Sequence, residues 1–196
     1  MTRDRNATEE RLIEAGFQTL AEGGFAGFGI NGVARAAGCD KKLIYRYFGD
    51  LDGLLEAMGE RVARDLGAAL APALEPRPAT YAEMIERLAF ALLDHQSADR
   101  RFRQLRAVEL MSAAPAGARF QAARGRVMQA WMREARGDLV PPEGVDAAAL
   151  NAVLIAAVEG LALSGATGLG SDAGPRTRAA LLQLMRCGYA QAPVTD

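Results

Sequence analysis

The chain has 196 residues, half of them hydrophobic, with 23 Lys+Arg against 24 Asp+Glu. That is ample apolar content for a core, and the length fits one large domain or a small head on a larger body. A formal net charge of −1 excludes a generally basic protein, so any affinity for a polyanion must come from a local cluster.

The polar N-terminus, MTRDRNATEERL, has no signal-peptide pattern, and Cys39 and Cys187 form no CxxC pair. Both features point to a reducing cytoplasm. The periodicity is helical throughout. A first helix is expected from about Thr8 to Glu22, burying Leu12, Ile13, Gly16, Phe17 and Leu20 and ending at Gly23-Gly24.

Next comes GINGVARAAGCDKKLIYRYF, residues 29–48. Gly29 can cap a short helix whose apolar face is Ile30, Val33, Ala34 and Ala37. Gly38 can take the left-handed conformation that ends it. Asp40 is a good cap for a second short helix, with Ile44, Phe48 and an edge of the Tyr45 ring turned inward. That second helix opens on Lys41 and Lys42, the only two lysines of the chain, beside Tyr45, Arg46 and Tyr47. Two such short helices cannot stand alone. Joined by a tight Gly-containing turn they match a helix-turn-helix, whose second helix lies in the major groove of DNA. The competing reading is an ordinary corner in a small helical domain. Residues 38–48 carry Lys41, Lys42 and Arg46 against Asp40, a positive footprint on an otherwise balanced chain.

Residues 8–58 resemble the N-terminal domain of the TetR/AcrR transcriptional regulators. The family phrase is close to "IA..AGVS..TLY.HF". Val33-Ala34, Ala37-Gly38, Ile44-Tyr45 and Tyr47-Phe48 fall in register with it, and Leu54-Leu55 follow at the next apolar pair. Four positions depart. Gly29 replaces a usual Thr, Cys39 a small aliphatic residue, Leu43 a usual Thr or Ser, and Leu51 a common Lys. The first, third and fourth remove groups that could reach phosphates. Lys42, where a small residue is frequent, adds one. The candidate DNA-contacting set is Gly29, Asn31, Lys41, Lys42, Tyr45, Arg46 and Tyr47.

Beyond the head, Asp50 should cap a long helix with the stripe Leu54, Leu55, Met58, Val62, Leu66 and Leu70, ending near Pro72. Pro72, Pro76 and Pro78 mark a break. Thr80 and Glu83 form a capping box for a helix bearing Met84, Ile85, Leu88, Phe90, Leu92 and Leu93. Asp99 or Ser97 opens another, with Phe102, Leu105 and Val108 inward. The run Arg100, Arg101, Arg103, Arg106 reads as a solvated face, with an anchor for an anionic effector or an additional phosphate contact as the sharper alternatives. Pro115 and Gly117 precede a long helix with Phe120, Ala123, Val127 and Trp131 in line.

Asp146 caps a helix, Ala147 to Leu163, that is apolar on nearly all sides and therefore should be buried on all sides. A second copy of the chain would bury it, and Gly160 and Gly165 would permit close approach. Pro175 suits the start of a last helix. Leu154, Val158, Leu161, Leu181 and Met185 are the expected dimer contacts. Asn151 and Glu159 interrupt the longest apolar run, so no membrane span is expected. The terminal AQAPVTD should fray.

One histidine precludes a multi-His metal site within a protomer, and no GxGxxG, Walker loop or GxSxG is present. No enzyme, metal or cofactor is expected. Phe90, His95, Met111, Met128 and Trp131 are candidates for an effector pocket, with core packing as the alternative for the apolar ones. The expectation is therefore an all-α chain, with a helix-turn-helix head over residues 1–50 and a helical ligand-binding and dimerisation body over 51–196. The resemblance implies a homodimeric regulator, usually a repressor, on a pseudo-palindromic double-stranded operator, released by a small hydrophobic or amphipathic effector. The alternatives are a DNA-binding protein whose body only dimerises, and a helical enzyme with an incidental corner.

Overall fold

The computed structural model describes residues 2–164 and 173–189. Among these the chain is all-α: α1 (Thr2–Gly23), α2 (Ile30–Ala36), α3 (Lys42–Phe48), α4 (Leu51–Leu70), a 3-10 turn (Ala71–Leu74), α5 (Tyr81–Ala98), α6 (Arg100–Leu110), α7 (Pro115–Arg136), α8 (Ala147–Ser164) and α9 (Ala173–Gly188). Gly165 and the terminal AQAPVTD lie outside the described residues. Helix α1 starts six residues before the expected Thr8. Its early turns carry an Arg5–Glu9 pair at 3.0 Å, the i,i+4 spacing that supports a helix.

The chain falls into two compact units, one of Met1–Gly67 with Gln104–Trp131, the other of Ala68–Arg103 with Met132–Asp196. The first extends past residue 50 because its core does. Leu12, Leu20, Val33, Ile44, Leu54, Leu55, Met58 and Phe120 are essentially inaccessible there. A Cβ at Gly16 would sit 2.6 Å from the Met58 sulfur, and one at Gly59 2.4 Å from the Phe120 carbonyl oxygen. Phe25 meets Phe120 edge-to-face at 5.6 Å.

Arg106 departs from the solvated face expected for its run. It is 6% exposed, ion-paired to Glu109, which is 1% exposed and also takes Arg124 at 3.0 Å. Arg103 turns back and donates to the Gln96 carbonyl at 2.9 Å. Arg100 and Arg101 do face solvent. An Arg can cover apolar surface with its stem and satisfy its head locally, so charge alone does not mark a solvated face.

In the second unit α5 buries Tyr81, Met84, Ile85, Leu88, Ala89 and Leu93. Helix α8 presents Leu154, Val158 and Ala162, α9 presents Leu181 and Met185, and Tyr189 follows just beyond its end. The capping box forms as expected, with Thr80 accepting from the Glu83 N–H at 3.1 Å and Glu83 accepting from the Ala79 N–H at 2.8 Å. The second bond, more than any other interaction, holds the Glu83 carboxyl below its ordinary value. A polar clasp joins α5 and α8 to the end of α9: the Asn151 amide donates to the Tyr81 hydroxyl at 2.8 Å, and the Tyr189 hydroxyl donates to the Asn151 carbonyl oxygen.

Four of the eighteen residues of α8 are buried within the protomer: Ala147, Leu154, Val158 and Ala162. By length and composition alone α8 is apolar enough to cross a bilayer, a property that core helices share. Two isolated polar residues do not offset so many Ala, Leu and Val side chains.

Candidate nucleic-acid interface and surrounding surfaces

The helix-turn-helix is specified by backbone chemistry at its corners. Gly29 is extended and its carbonyl accepts the first bond of α2, from Val33 N–H at 3.1 Å, with no side-chain cap. At the other end Gly38 has φ +61°, and the N–H groups of Gly38 and Cys39 bond the Arg35 and Ala34 carbonyls at 3.2 and 3.0 Å. This double bond pattern is a left-handed helix stop that favours glycine. Asp40 then accepts from the Lys42 N–H at 2.8 Å and starts α3. Asp50 does the same for α4 through the Gly53 N–H at 2.8 Å. A Cβ at Gly53 would fall 2.0 Å from the Phe48 carbonyl oxygen, so the α3–α4 junction requires glycine there.

These corners hang on buried Val33, Ala34, Ala37 and Ile44, with Phe48 half-buried. Gly32 lies against Thr19 of α1, whose methyl would be 3.2 Å from an added Cβ. What remains outside is the candidate DNA-facing surface. Asn31, Lys41, Lys42 and Arg46 are exposed, Gly29 is half-buried, and Tyr45 is 50% exposed, so its ring is as much outside as in. Tyr47 is half-buried, with the Arg5 guanidinium 5.7 Å from its ring centroid. Sequence periodicity holds no sign of Arg5, because nothing in it shows that α1 reaches α3.

The expected dimer residues lie mostly inside the protomer. Leu154, Val158, Leu181 and Met185 are 6%, 1%, 3% and 2% exposed within a single protomer, and Leu161 is half-buried. Residues already sealed inside one chain have almost no surface left to bury against another. The opposite side of α8 is the accessible one: Ala149, Ala152, Val153, Ala156 and Gly160 are exposed, Val153 by 65%. On α9, Ala180, Leu184 and Cys187 are exposed, Leu184 by 65%. An all-round apolar helix cannot reveal from sequence which side its own chain takes.

The effector set is divided. Phe90 and His95 belong to the second unit, and Met111, Met128 and Trp131 to the first. Met111 is 89% exposed, one residue beyond α6, and cannot wall a closed pocket. Phe90 lies under the Arg178 guanidinium, 4.6 Å from its centroid, and Arg178 is itself ion-paired to Asp94. His95 meets Phe102 edge-on at 5.4 Å. Met128 and Trp131 are half-buried, and an added Cβ at Gly67 would meet the indole at 3.0 Å. Among the described residues no group of three His, Cys, Asp or Glu could hold a metal.

Residues 12–58 match the family described as "Bacterial regulatory proteins, tetR family". The HTH-type transcriptional regulator BetI of Stenotrophomonas maltophilia is 42% identical over 62 residues. That match spans about a third of either chain, 32% of each. In solved structures, a TetR family transcription regulator from Marinobacter aquaeolei superposes with a TM-score of 0.67 at 17% identity, over 98% of this chain and 100% of that one. FadR from Bacillus subtilis in complex with stearoyl-CoA superposes with a TM-score of 0.63 at 14% identity, over 92% and 99%. The local sequence match identifies residues 12–58 as a tetR-family helix-turn-helix domain, and the likeness to solved structures shows that the helical remainder shares their fold.

Proposed function

We propose that this chain is a homodimeric transcriptional regulator, a repressor that leaves a pseudo-palindromic operator when a small hydrophobic or amphipathic molecule binds its body. The observation that carries the DNA-binding part is the exposed row Asn31, Lys41, Lys42 and Arg46 on a helix-turn-helix whose inner face is sealed. Lysines and arginine neutralise phosphates and release counterions, which supplies sequence-independent affinity. Polar tips on α3 can then read base edges. Residues 1–50 serve as the reading head and 51–196 as the body. No chemistry of catalysis enters.

Dimerisation is supported by the outward apolar face of α8, which a second copy would cover by two-fold pairing of the same surface. Two heads held together must fit half-sites about one helical turn apart, so a small change in their separation lowers operator affinity. The effector must favour the DNA-incompetent arrangement, since equal affinity for both shifts nothing. Its class follows from the half-buried Met128 and Trp131 of the first unit, which suit an apolar molecule better than one with many hydrogen bonds to satisfy. The alternative, a body that only dimerises, draws on Phe90 being already covered by Arg178.

The test is a selection of operator sequences from random duplexes by the full chain, followed by titration with apolar compounds. A symmetric consensus released by at least one compound supports the proposal. A consensus that no compound releases supports the dimerisation-only alternative. Absence of any enriched sequence removes the reading.

A further inference from the structure

We infer that Arg5 is a DNA phosphate contact outside the helix-turn-helix, and that Tyr47 is the platform that aims it. The inference rests on the proposal that α3 enters DNA. Helix α1 begins at Thr2, and the turns ahead of Thr8 bring Arg5 to the recognition helix. There the guanidinium lies 5.7 Å from the Tyr47 centroid, within the range of a cation–π interaction. The Arg5 side chain is nevertheless 62% exposed. Its Nε donates to Glu9 at 3.0 Å, and among the described residues its two Nη groups make no hydrogen bond. An Arg held on a ring, with its terminal N–H groups open to solvent, presents the fork that matches two phosphate oxygens. Lys41, Lys42 and Arg46 are exposed on or beside the same short helix, so Arg5 extends one positive footprint instead of making a separate one. Glu9 engages only Nε, so a phosphate can bind the fork without displacing it.

Tyr47 is then a positioning residue. Its ring, not its hydroxyl, holds the guanidinium in place. The experiment measures the salt dependence of affinity for a fluorescein-labelled random-sequence duplex, using the full chain in potassium chloride. Arg5→Ala should shrink the slope of log K against log salt by about one per head, about two per dimer. Tyr47→Phe should keep the wild-type slope. Tyr47→Ala should lose as much as Arg5→Ala, and the double variant no more than either. An unchanged slope in Arg5→Ala, while Lys41→Ala/Lys42→Ala shrinks it, overturns the inference and leaves the DNA reading standing. A slope unchanged in both removes the DNA reading as well. Equal losses in Tyr47→Phe and Tyr47→Ala would assign the effect to the hydroxyl and overturn the platform.

Discussion

The Asn151 side chain of α8 donates to the Tyr81 hydroxyl of α5 at 2.8 Å while accepting from Tyr189, the residue after α9. Tyr81 and Tyr189 also meet edge-to-face at 5.8 Å. One amide thus satisfies two phenols, one from α5 and one just beyond α9. Asn151→Leu leaves both hydroxyls without that partner in a part-buried site. A loss of about 1–3 kcal/mol is expected, read from the urea midpoint at constant m. A midpoint shift below a few tenths of a molar would mean that water replaces the amide at no cost.

Burial first, and then the neighbouring Tyr81, push the Tyr189 phenol well above its ordinary value. A raised folded pKa means stability that is complete below the unfolded value, about 10, and falls as pH rises beyond it, because the unfolded chain releases its proton first. Wild type should therefore lose more stability than Tyr189→Phe between about pH 9.5 and 11. Parallel curves for the two proteins would exclude the linkage.

For Lys41 and Lys42, substitution of either by Ala should weaken binding to operator and random duplex alike. Each substitution that removes a phosphate anchor should lower the salt slope by about two per symmetric dimer. A double variant with the wild-type slope would remove both from the phosphate surface.

Arg46 and Tyr45 project from the middle of α3. Arg46→Ala should cost about 1–3 kcal/mol on the selected operator with a smaller loss on random DNA, relaxing preference at one base position. Equal losses on both would make Arg46 a backbone-binding residue.

The dimer face is tested best on the exposed side of α8. Ala156→Glu adds no buried charge to the protomer, yet it would place an unpaired carboxylate in the pairing surface. Sedimentation should show a folded monomer with weakened operator binding. Leu154→Glu, by contrast, should unfold the protomer itself, since that side chain packs inside it. If Ala156→Glu remains dimeric, α8 is not the pairing surface.

Trp131 is the single tryptophan, so its emission reports on the face of α7 beside Gly67. An apolar effector should shift or quench that emission over the concentration range in which it releases operator DNA. Release with no change in emission, from a panel of such compounds, would move the binding region away from Trp131.

Local chemistry makes much of this molecule legible in one dimension. Gly38, Asp40 and Asp50 set the corners of the helix-turn-helix because φ sign and capping oxygens act within three or four residues. Thr80 and Glu83 fix the start of α5 in the same way. The exposed Lys41, Lys42 and Arg46 follow from the apolar period of their own helix. Tertiary structure alone decides the rest. Helix α8 is apolar all round, so its periodicity could not say that Leu154 and Val158 are sealed inside the protomer while Ala156 and Gly160 face outward. The charge run in α6 could not say that Arg106 would find Glu109, or that Arg124 would join them in the interior. The Arg5–Tyr47 pair joins α1 to α3, and the Asn151–Tyr81 bond spans 70 positions. Such pairings depend on how helices pack, and a pattern confined to one helix says nothing about its neighbour.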